Sequence, residues 1–202
     1  MNRRIDFYNV KLPARTSPHF HTSTLPRVPT IHLVTTDAQL RAARRLFAEY
    51  ARSLPFALDF QGFQEELNAL PGEYAPPDGS ILLAEAERTD ANAADDADAF
   101  AGCVALRPLA ADDADDRRLC EMKRLYVRPA HRRRGLGRTL VDAVLDEARR
   151  RGYDAMRLDT VASMNAANAL YRALGFREIA PYRHNPLDAP VFFEKDLDPQ
   201  TA

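Results

Sequence analysis

The sequence contains little cysteine, almost no net charge and no long apolar run, and each shortage excludes a class of protein. Cys103 and Cys120 are its two cysteines, too few for a disulfide framework, so two reduced and mostly buried thiols are expected. No segment approaches the roughly 18 consecutive apolar residues that a membrane-spanning helix needs. The N-terminus also lacks the apolar core of a secretory signal. We therefore expect a cytoplasmic protein that makes no membrane contact.

Net charge is small because 28 basic residues are balanced by 29 acidic ones, which leaves a formal net charge of −1. No global field attracts nucleic acid, so any anion-binding site must be local. Hydrophobic residues make up 46% of the chain, an ordinary globular share, and 202 residues suffice for one well-filled core. We expect one domain at residues 29–198. It follows a flexible tail at residues 1–28, which are rich in Pro, Ser, Thr and basic residues without periodicity.

The hydrophobic pattern predicts a mixed α/β domain in the order strand, two helices, three strands, helix, strand, helix, two strands. Asp37 is expected to cap a helix that runs to about Ser53. The clearest helix follows Gly137, and another is expected between a Ser163 cap and Gly175. The remaining helix is expected at GFQEELNAL, and the strands at IHLVT, SILLAEA, FAGCVAL, CEMKRLYV, DAMRLDT, FREIAPY and PVFFEKDL.

One stretch is strongly basic, since residues 123–138 hold seven lysines and arginines. A predicted strand ends at Val127, a short basic loop follows, and two glycines then open a helix. The first N–H groups of a helix lack partners and the helix dipole favours negative charge there, so the arrangement predicts an anion site. It has neither the Gly-Lys-Ser/Thr of a P-loop nor the third glycine of a dinucleotide fingerprint. A diphosphate would be bound by the backbone at Gly135 and Gly137 and by Arg132, Arg133, Arg134 and Arg138.

A second motif, MNAANALYRALGF at residues 164–176, lies one predicted strand downstream. With it, the sequence resembles the Gcn5-related N-acetyltransferase (GNAT) superfamily. There Gln/Arg-x-x-Gly-x-Gly/Ala holds the pyrophosphate of coenzyme A, and a later Leu-Tyr and Gly-Phe mark the helix beside the thioester. The resemblance covers about residues 30–198 and implies a single-domain α/β fold, with a mixed, mostly antiparallel central sheet of six to seven strands flanked by about four helices. QGFQEELNALPGEYAPP, CEMKRLYVRP and PYRHNP further resemble a bacterial subgroup whose acceptor is unassigned.

The resemblance also implies a reaction in which an amine attacks the thioester carbonyl of acetyl-CoA directly, without a metal. The strand at residues 120–127 would diverge from the strand at residues 154–160 and leave backbone groups for the pantetheine arm and the acetyl oxygen. Backbone N–H groups preorganised at that oxygen stabilise its negative charge by roughly 3 kcal/mol. Many relatives have an asparagine seven residues before the tyrosine, where this chain has Met164; either the adjacent Asn165 substitutes for it or the contact is absent. The expected cofactor contacts are Leu125, Tyr126, Val127, Arg132, Arg133, Arg134, Gly135, Leu136, Gly137, Arg138 and Asn165.

Two residues are expected to carry the proton transfers. Tyr171 is the expected general acid, which protonates the departing CoA thiolate. Glu121 is the leading candidate for the base that takes the proton of the acceptor, and the alternative is that it pairs with Lys123 or an arginine. Asp159 is the reserve candidate, because some relatives carry an acidic residue there, and a water chain is the third option. Cys120 has no evident histidine that would activate it as a nucleophile.

The expected acceptor is a primary amine of a small molecule, an amino acid-like compound or a peptide. Glu66 favours a cationic acceptor, whereas Arg183 favours one that also carries a carboxylate. A non-catalytic CoA-binding module is the alternative, although the presence of Tyr171 and Glu121 argues against it. A nucleic-acid-binding module is disfavoured, because the basic stretch has no interleaved aromatic residues. Assembly as a homodimer is left open. The expected acceptor pocket is lined by Gln61, Phe63, Glu66, Tyr74, Arg183, His184 and Asn185.

Overall fold

The computed structural model describes residues 29–58, 62–86, 99–110 and 116–197. The predicted order of elements is confirmed. The predicted tail at residues 1–28 and the predicted pocket residue Gln61 lie outside the described residues. The elements are β1 (Ile31–Leu33), α1 (Asp37–Ser53), α2 (Phe63–Ala69), β2 (Ser80–Glu85), β3 (Phe100–Pro108), β4 (Leu119–Val127), α3 (Leu136–Arg150), β5 (Ala155–Val161), α4 (Asn165–Ala173), β6 (Arg177–Ile179) and β7 (Pro190–Asp196).

The seven strands form one mixed sheet in the order β1-β2-β3-β4-β5-β7-β6. β4 and β5 run parallel, and the other neighbouring pairs run antiparallel. Side chains alternate between the two faces of the sheet along each strand. In β2, Leu82 and Ala84 therefore pack with α3 and α4, whereas Ile81 and Leu83 pack with α1 and α2. The predicted mixed, mostly antiparallel sheet with four flanking helices is confirmed.

Two predicted helix caps are wrong. The cap of α1 is Thr36 rather than Asp37, because the Thr36 hydroxyl accepts from the N–H of Gln39 while the Gln39 side chain accepts from the N–H of Thr36. This reciprocal capping box satisfies two backbone donors at once, which Asp37 in the first turn cannot do. Ser163 does not cap α4 either, since the cap position is Met164 and no side-chain hydrogen bond closes that end.

The strand predicted at FREIAPY is shorter than expected, because β6 covers only Arg177–Ile179. Pro181 has no N–H to donate to a ladder, and the chain instead forms a loop at residues 180–189 before β7 begins. This loop returns the chain towards the middle of the sheet. Over the residues that the structure describes, no helix combines the length and apolarity that crossing a membrane requires.

Candidate active site

A cleft opens where β4 and β5 separate. The two strands pair from Leu119↔Ala155 to Glu121↔Arg157, and their described ladder ends there. The predicted divergence of these strands is therefore confirmed. On its other side, β4 carries a bulge at Arg124, whose φ of 58° is in the left-handed region. Such bulges redirect a strand and often lie beside functional sites.

The open side of β4 exposes its C-terminal half to the cleft. Leu125 lines the cleft, and Tyr126 and Val127 are still paired to β3, opposite Cys103 and Gly102. In a strand with a partner on one side, the backbone groups that point to the other side are available to a ligand. The structure therefore brings Leu125 of the predicted backbone contacts to the cleft, and Tyr126 and Val127 follow it on the same strand.

The basic loop after β4 forms a turn that leads directly into α3. Arg133 and Gly135 have left-handed φ values of 62° and 82°, and Gly135 occupies the cap position of α3 without a side-chain cap. α3 begins at Leu136, two residues earlier than predicted. A Cβ on Gly135 would meet no atom within 4 Å, so the space in front of the helix is open. We call residues 132–138 the phosphate cradle, since open backbone N–H groups at a helix start fit an anion.

The arginines of the cradle have different surroundings. Arg132 Nε donates to the Val127 carbonyl at 2.8 Å, and its guanidinium lies 5.8 Å from the centre of the Tyr126 ring, which holds the loop against β4. Arg133, Arg134 and Arg138 are exposed beside the helix start. Exposed guanidinium groups next to open N–H donors are the combination that binds a diphosphate. The cradle therefore fits the predicted cofactor.

Tyr171 reaches the cleft from α4. Its side chain is 7% exposed, and its ring packs edge-on against Phe176 and in a tilted contact with Phe193. Burial raises the pKa of the Tyr171 hydroxyl above its ordinary value, and the neighbouring Tyr50 and Asp159 raise it further. The phenol is therefore protonated throughout the neutral range and is able to donate a proton.

Asp159 lies in the same cleft and is held by three donors. Its carboxylate accepts from Lys123 Nζ at 3.3 Å, from Asn185 Nδ2 at 2.9 Å and from the guanidinium of Arg183. Burial alone would raise the pKa of Asp159, but Lys123 and Arg183 outweigh burial and hold it below its usual range. Asp159 is thus an anion at neutral pH, with Lys123 and Arg183 as its counter-charges.

Glu121 is fully buried and does not line the cleft with Tyr171. Its carboxylate accepts from the Tyr182 hydroxyl at 2.7 Å, from Arg107 Nε at 2.9 Å and from Arg183 Nη1 at 3.3 Å. These contacts favour the second of the two roles considered for it, that of a structural partner of arginines. Glu121 thereby fastens the 180–189 loop to β4.

We expect Glu121→Gln to lower the free energy of unfolding by about 3 kcal/mol, because it removes the fully buried counter-charge that Arg107 and Arg183 share and leaves the exposed Glu73 as the partner of Arg107. Urea denaturation at pH 7 measures this. The matched control is Glu178→Gln, since Glu178 is exposed and pairs with an exposed Arg172; it should change stability by less than about 0.5 kcal/mol. Unchanged stability together with a large loss of turnover would instead make Glu121 the base.

The model of the acetyltransferase (GNAT) family matches residues 41–176, which is more than half of the chain. The chain belongs to this family. An uncharacterized N-acetyltransferase of Schizosaccharomyces pombe is 33% identical over 168 residues, which cover 83% of this chain and 94% of the relative. A Salmonella typhimurium structure, described as an acetyltransferase with its cofactor acetyl-CoA, is similar with a TM-score of 0.59 and 21% identity, over 87% of this chain and 98% of its own. A ribosomal protein bS18 alanine N-acetyltransferase of Escherichia coli is 46% identical over 61 residues, 30% of this chain and 40% of the relative.

The predicted acceptor residues of this GNAT enzyme form two groups. Tyr74 donates its hydroxyl to Glu66 Oε1 at 2.9 Å, and Arg124 Nε donates to the same oxygen at 2.8 Å. Phe63 lies under the Arg124 guanidinium, 5.1 Å from its carbon to the ring centre. Asn185 and Arg183 belong to the second group, around Asp159. His184 is exposed, outside both groups.

Other parts of the GNAT cleft were not predicted. Its walls also include Tyr50, Phe56, Leu58, Lys123 and Leu187. The aromatic and aliphatic residues come from segments distant in sequence, so no local pattern could indicate them. Lys123 had a signal, because a lysine two residues after a glutamate in a mostly apolar strand places both charges on one face of the sheet.

The remaining predicted contacts are at the start of α4 and in β4. Met164 lines the cleft, whereas Asn165 is exposed as the first residue of α4. A contact between Asn165 and the pantetheine arm remains a prediction. The Cys120 thiol is fully buried, and burial raises its pKa, so it has little thiolate character. Among the described residues, no group of three or more His, Cys, Asp and Glu could hold a metal ion.

Proposed function

We propose that this GNAT enzyme transfers the acetyl group of acetyl-CoA to a primary amine of a small molecule, an amino acid-like compound or a peptide. The observation that carries the proposal is the cleft between β4 and β5, which has Tyr171 on one wall and the phosphate cradle at the end of the other. The Salmonella structure, solved with acetyl-CoA, supports the cosubstrate. The cytoplasmic location and a homodimer stay predictions.

Each part of the site has a role in this reaction. Acetyl-CoA, when bound, supplies an acetyl group on a thiol that can leave. The cradle at residues 132–138 binds the pyrophosphate, and the backbone of Leu125, Tyr126 and Val127 orients the pantetheine arm and places N–H donors at the acetyl oxygen. Tyr171 gives its proton to the departing sulfur.

The charges of the cleft support an amine acceptor. Asp159 is the anion that would attract an ammonium group, and Arg124 in the same cleft favours an acceptor that also carries an anionic group or a peptide carbonyl. The bS18 relative acetylates an alanine amine of a ribosomal protein, as its name states, which supports a peptide or amino acid-like amine. Glu66 forms an ion pair with Arg124, so its carboxylate lies next to the part of the cleft that Arg124 lines.

We expect release of free CoA thiol from acetyl-CoA only when an amine is added. The experiment presents purified enzyme with three sets of amines: free amino acids, polyamines, and short peptides with unblocked N-termini. Thiol release is followed optically and the product is identified by its mass increase of one acetyl group. Matched acceptors with the amine already acetylated are the control and should give no release. Absence of release with every set would contradict the proposal.

A further inference from the structure

Lys123 is a buried amine on the wall of the cleft, and the reaction outlined above gives it no role. Its side chain is 5% exposed, and Nζ lies 3.3 Å from Asp159 Oδ1. Lys123, Asp159 and Tyr171 all line the same cleft. A lysine that is enclosed with an acidic partner beside a proton donor is in the position of a proton-transfer group.

The carboxylates near the cleft are poor proton acceptors because their oxygens already accept strong hydrogen bonds. In Asp159, Oδ1 accepts from Lys123 and Arg183, and Oδ2 accepts from Asn185. Glu66 accepts from Arg124 and Tyr74. These donors outweigh burial and hold the pKa of both carboxyls below the usual range. A carboxylate stabilised in this way has little affinity for another proton.

The surroundings of Lys123 favour the neutral form of its amine, which is the form that can accept a proton. Burial lowers the pKa of Lys123 most, and Arg183 from the 180–189 loop and Arg124 on the same strand lower it further. Glu121 on β4 and Asp159 on β5 raise it, but burial and the arginines outweigh them. Glu66 on α2 also faces Lys123. The net effect lowers the pKa of the Lys123 amine below that of an ordinary lysine, which increases the share of the neutral form that can accept a proton.

We infer that Lys123 is the group that takes the proton from the acceptor ammonium, while Asp159 holds the Lys123 ammonium that results. The inference rests on the proposed function. The acceptor R–NH₃⁺ gives one proton to the Lys123 amine, and the resulting R–NH₂ forms the C–N bond to the acetyl carbon. The C–S bond breaks and the sulfur takes the Tyr171 proton. The nitrogen of the newly formed amide gives its surplus proton to the Tyr171 phenolate. The Lys123 ammonium releases the proton that it took from the acceptor to solvent.

A titration that needs no acceptor tests the first half of this inference. The chain has three lysines, Lys11, Lys123 and Lys195. In protein labelled with ¹³C at lysine Cε, the three signals can be followed by NMR from pH 6 to 11, and Lys123→Arg identifies the signal of Lys123. We expect that signal to titrate at lower pH than an ordinary lysine, whose pKa is about 10.4. A Lys123 signal that titrates at or above that ordinary value overturns the inference.

Kinetics test the second half, with saturating acetyl-CoA and the best amine from the acceptor panel. Lys123→Arg keeps the positive charge but cannot deprotonate, so kcat/KM at pH 7 should fall at least about a hundredfold. Lys195→Arg is the matched control and should stay within about twofold. Trimethylamine should restore part of the rate of Lys123→Ala, since it accepts a proton but cannot form an amide. Retained activity in Lys123→Arg, or absence of rescue in a Lys123→Ala variant that still binds acetyl-CoA, overturns the assignment.

The two arms separate this inference from the proposed function. If wild-type enzyme transfers acetyl groups to an amine while Lys123→Arg remains active, the proposed function stands and the role of Lys123 is wrong. If wild-type enzyme releases no thiol with any amine, the proposed function fails, and the inference about Lys123 falls with it. The NMR titration then still reports the protonation state of the amine.

Discussion

Reversing the charge of the phosphate cradle with Arg134→Glu and Gly135→Asp is expected to abolish acetyl-CoA binding, with an affinity loss of at least about a thousandfold. The pair changes the local charge by three units at the site proposed to hold two phosphates. At about 4 Å and an effective dielectric constant of about 20, one like-charge pair costs about 4 kcal/mol, so one such repulsion is enough. The carboxylate introduced in place of Gly135 would also occupy the open space in front of α3. Calorimetric titration with acetyl-CoA and with CoA measures the loss.

The same helix offers a matched control for this variant. Arg150 and Gly152 lie at the other end of α3, and Gly152 is also left-handed, with a φ of 75°. Arg150→Glu with Gly152→Asp therefore makes the same charge change and carries the same backbone strain, of roughly 1–2 kcal/mol. α3 has 15 residues and is about 22 Å long, so salt screens the charges introduced in the control from a ligand at the cradle. Acetyl-CoA affinity should stay within about threefold. Binding retained by the cradle variant would contradict the assignment of the cradle.

The order of elements and the position of the cradle could be predicted because both depend on local sequence. Alternating or helical spacing of apolar residues determines which face of a segment is buried, and a glycine supplies the positive φ that a helix terminus often requires. The cap of α1 was harder to predict, since Thr36 and Asp37 are both good caps and the choice depends on Gln39 three residues away.

The charge network of the site could not be predicted from local sequence. Glu121 meets Tyr182 and Arg183 across about 60 positions of the chain, and Asp159 meets Lys123 across 36. Such contacts depend on which strands become neighbours, and here β4 lies next to β5 while the 180–189 loop folds over both. The sequence could indicate that Glu121 is a buried charge, and only the fold could identify its partners as two arginines and a tyrosine.

Tyr171→Phe is expected to lower kcat by a factor of about 10²–10⁴, the usual range for a positioned proton donor, and to leave acetyl-CoA affinity nearly unchanged. The ring contacts with Phe176 and Phe193 survive the substitution, so the cleft should keep its shape. Because burial raises the pKa of the hydroxyl, wild-type activity should not decline through ionisation of Tyr171 below about pH 10. Steady-state kinetics from pH 6 to 10, with calorimetry for cofactor binding, measure both effects.

The control for this variant is Tyr153→Phe, which removes a hydroxyl of equal size outside the cleft. Tyr153 is also buried, and its hydroxyl donates to the Asp78 carbonyl at 2.9 Å. The control should lose about 1 kcal/mol of stability, as is usual for one hydrogen bond, with kcat within about twofold of wild type. Tyr153→Phe should thus lose stability and keep its turnover, whereas Tyr171→Phe should lose turnover. If Tyr171→Phe turns over at the wild-type rate, the sulfur must receive its proton from water, and Tyr171 is then only a wall of the cleft.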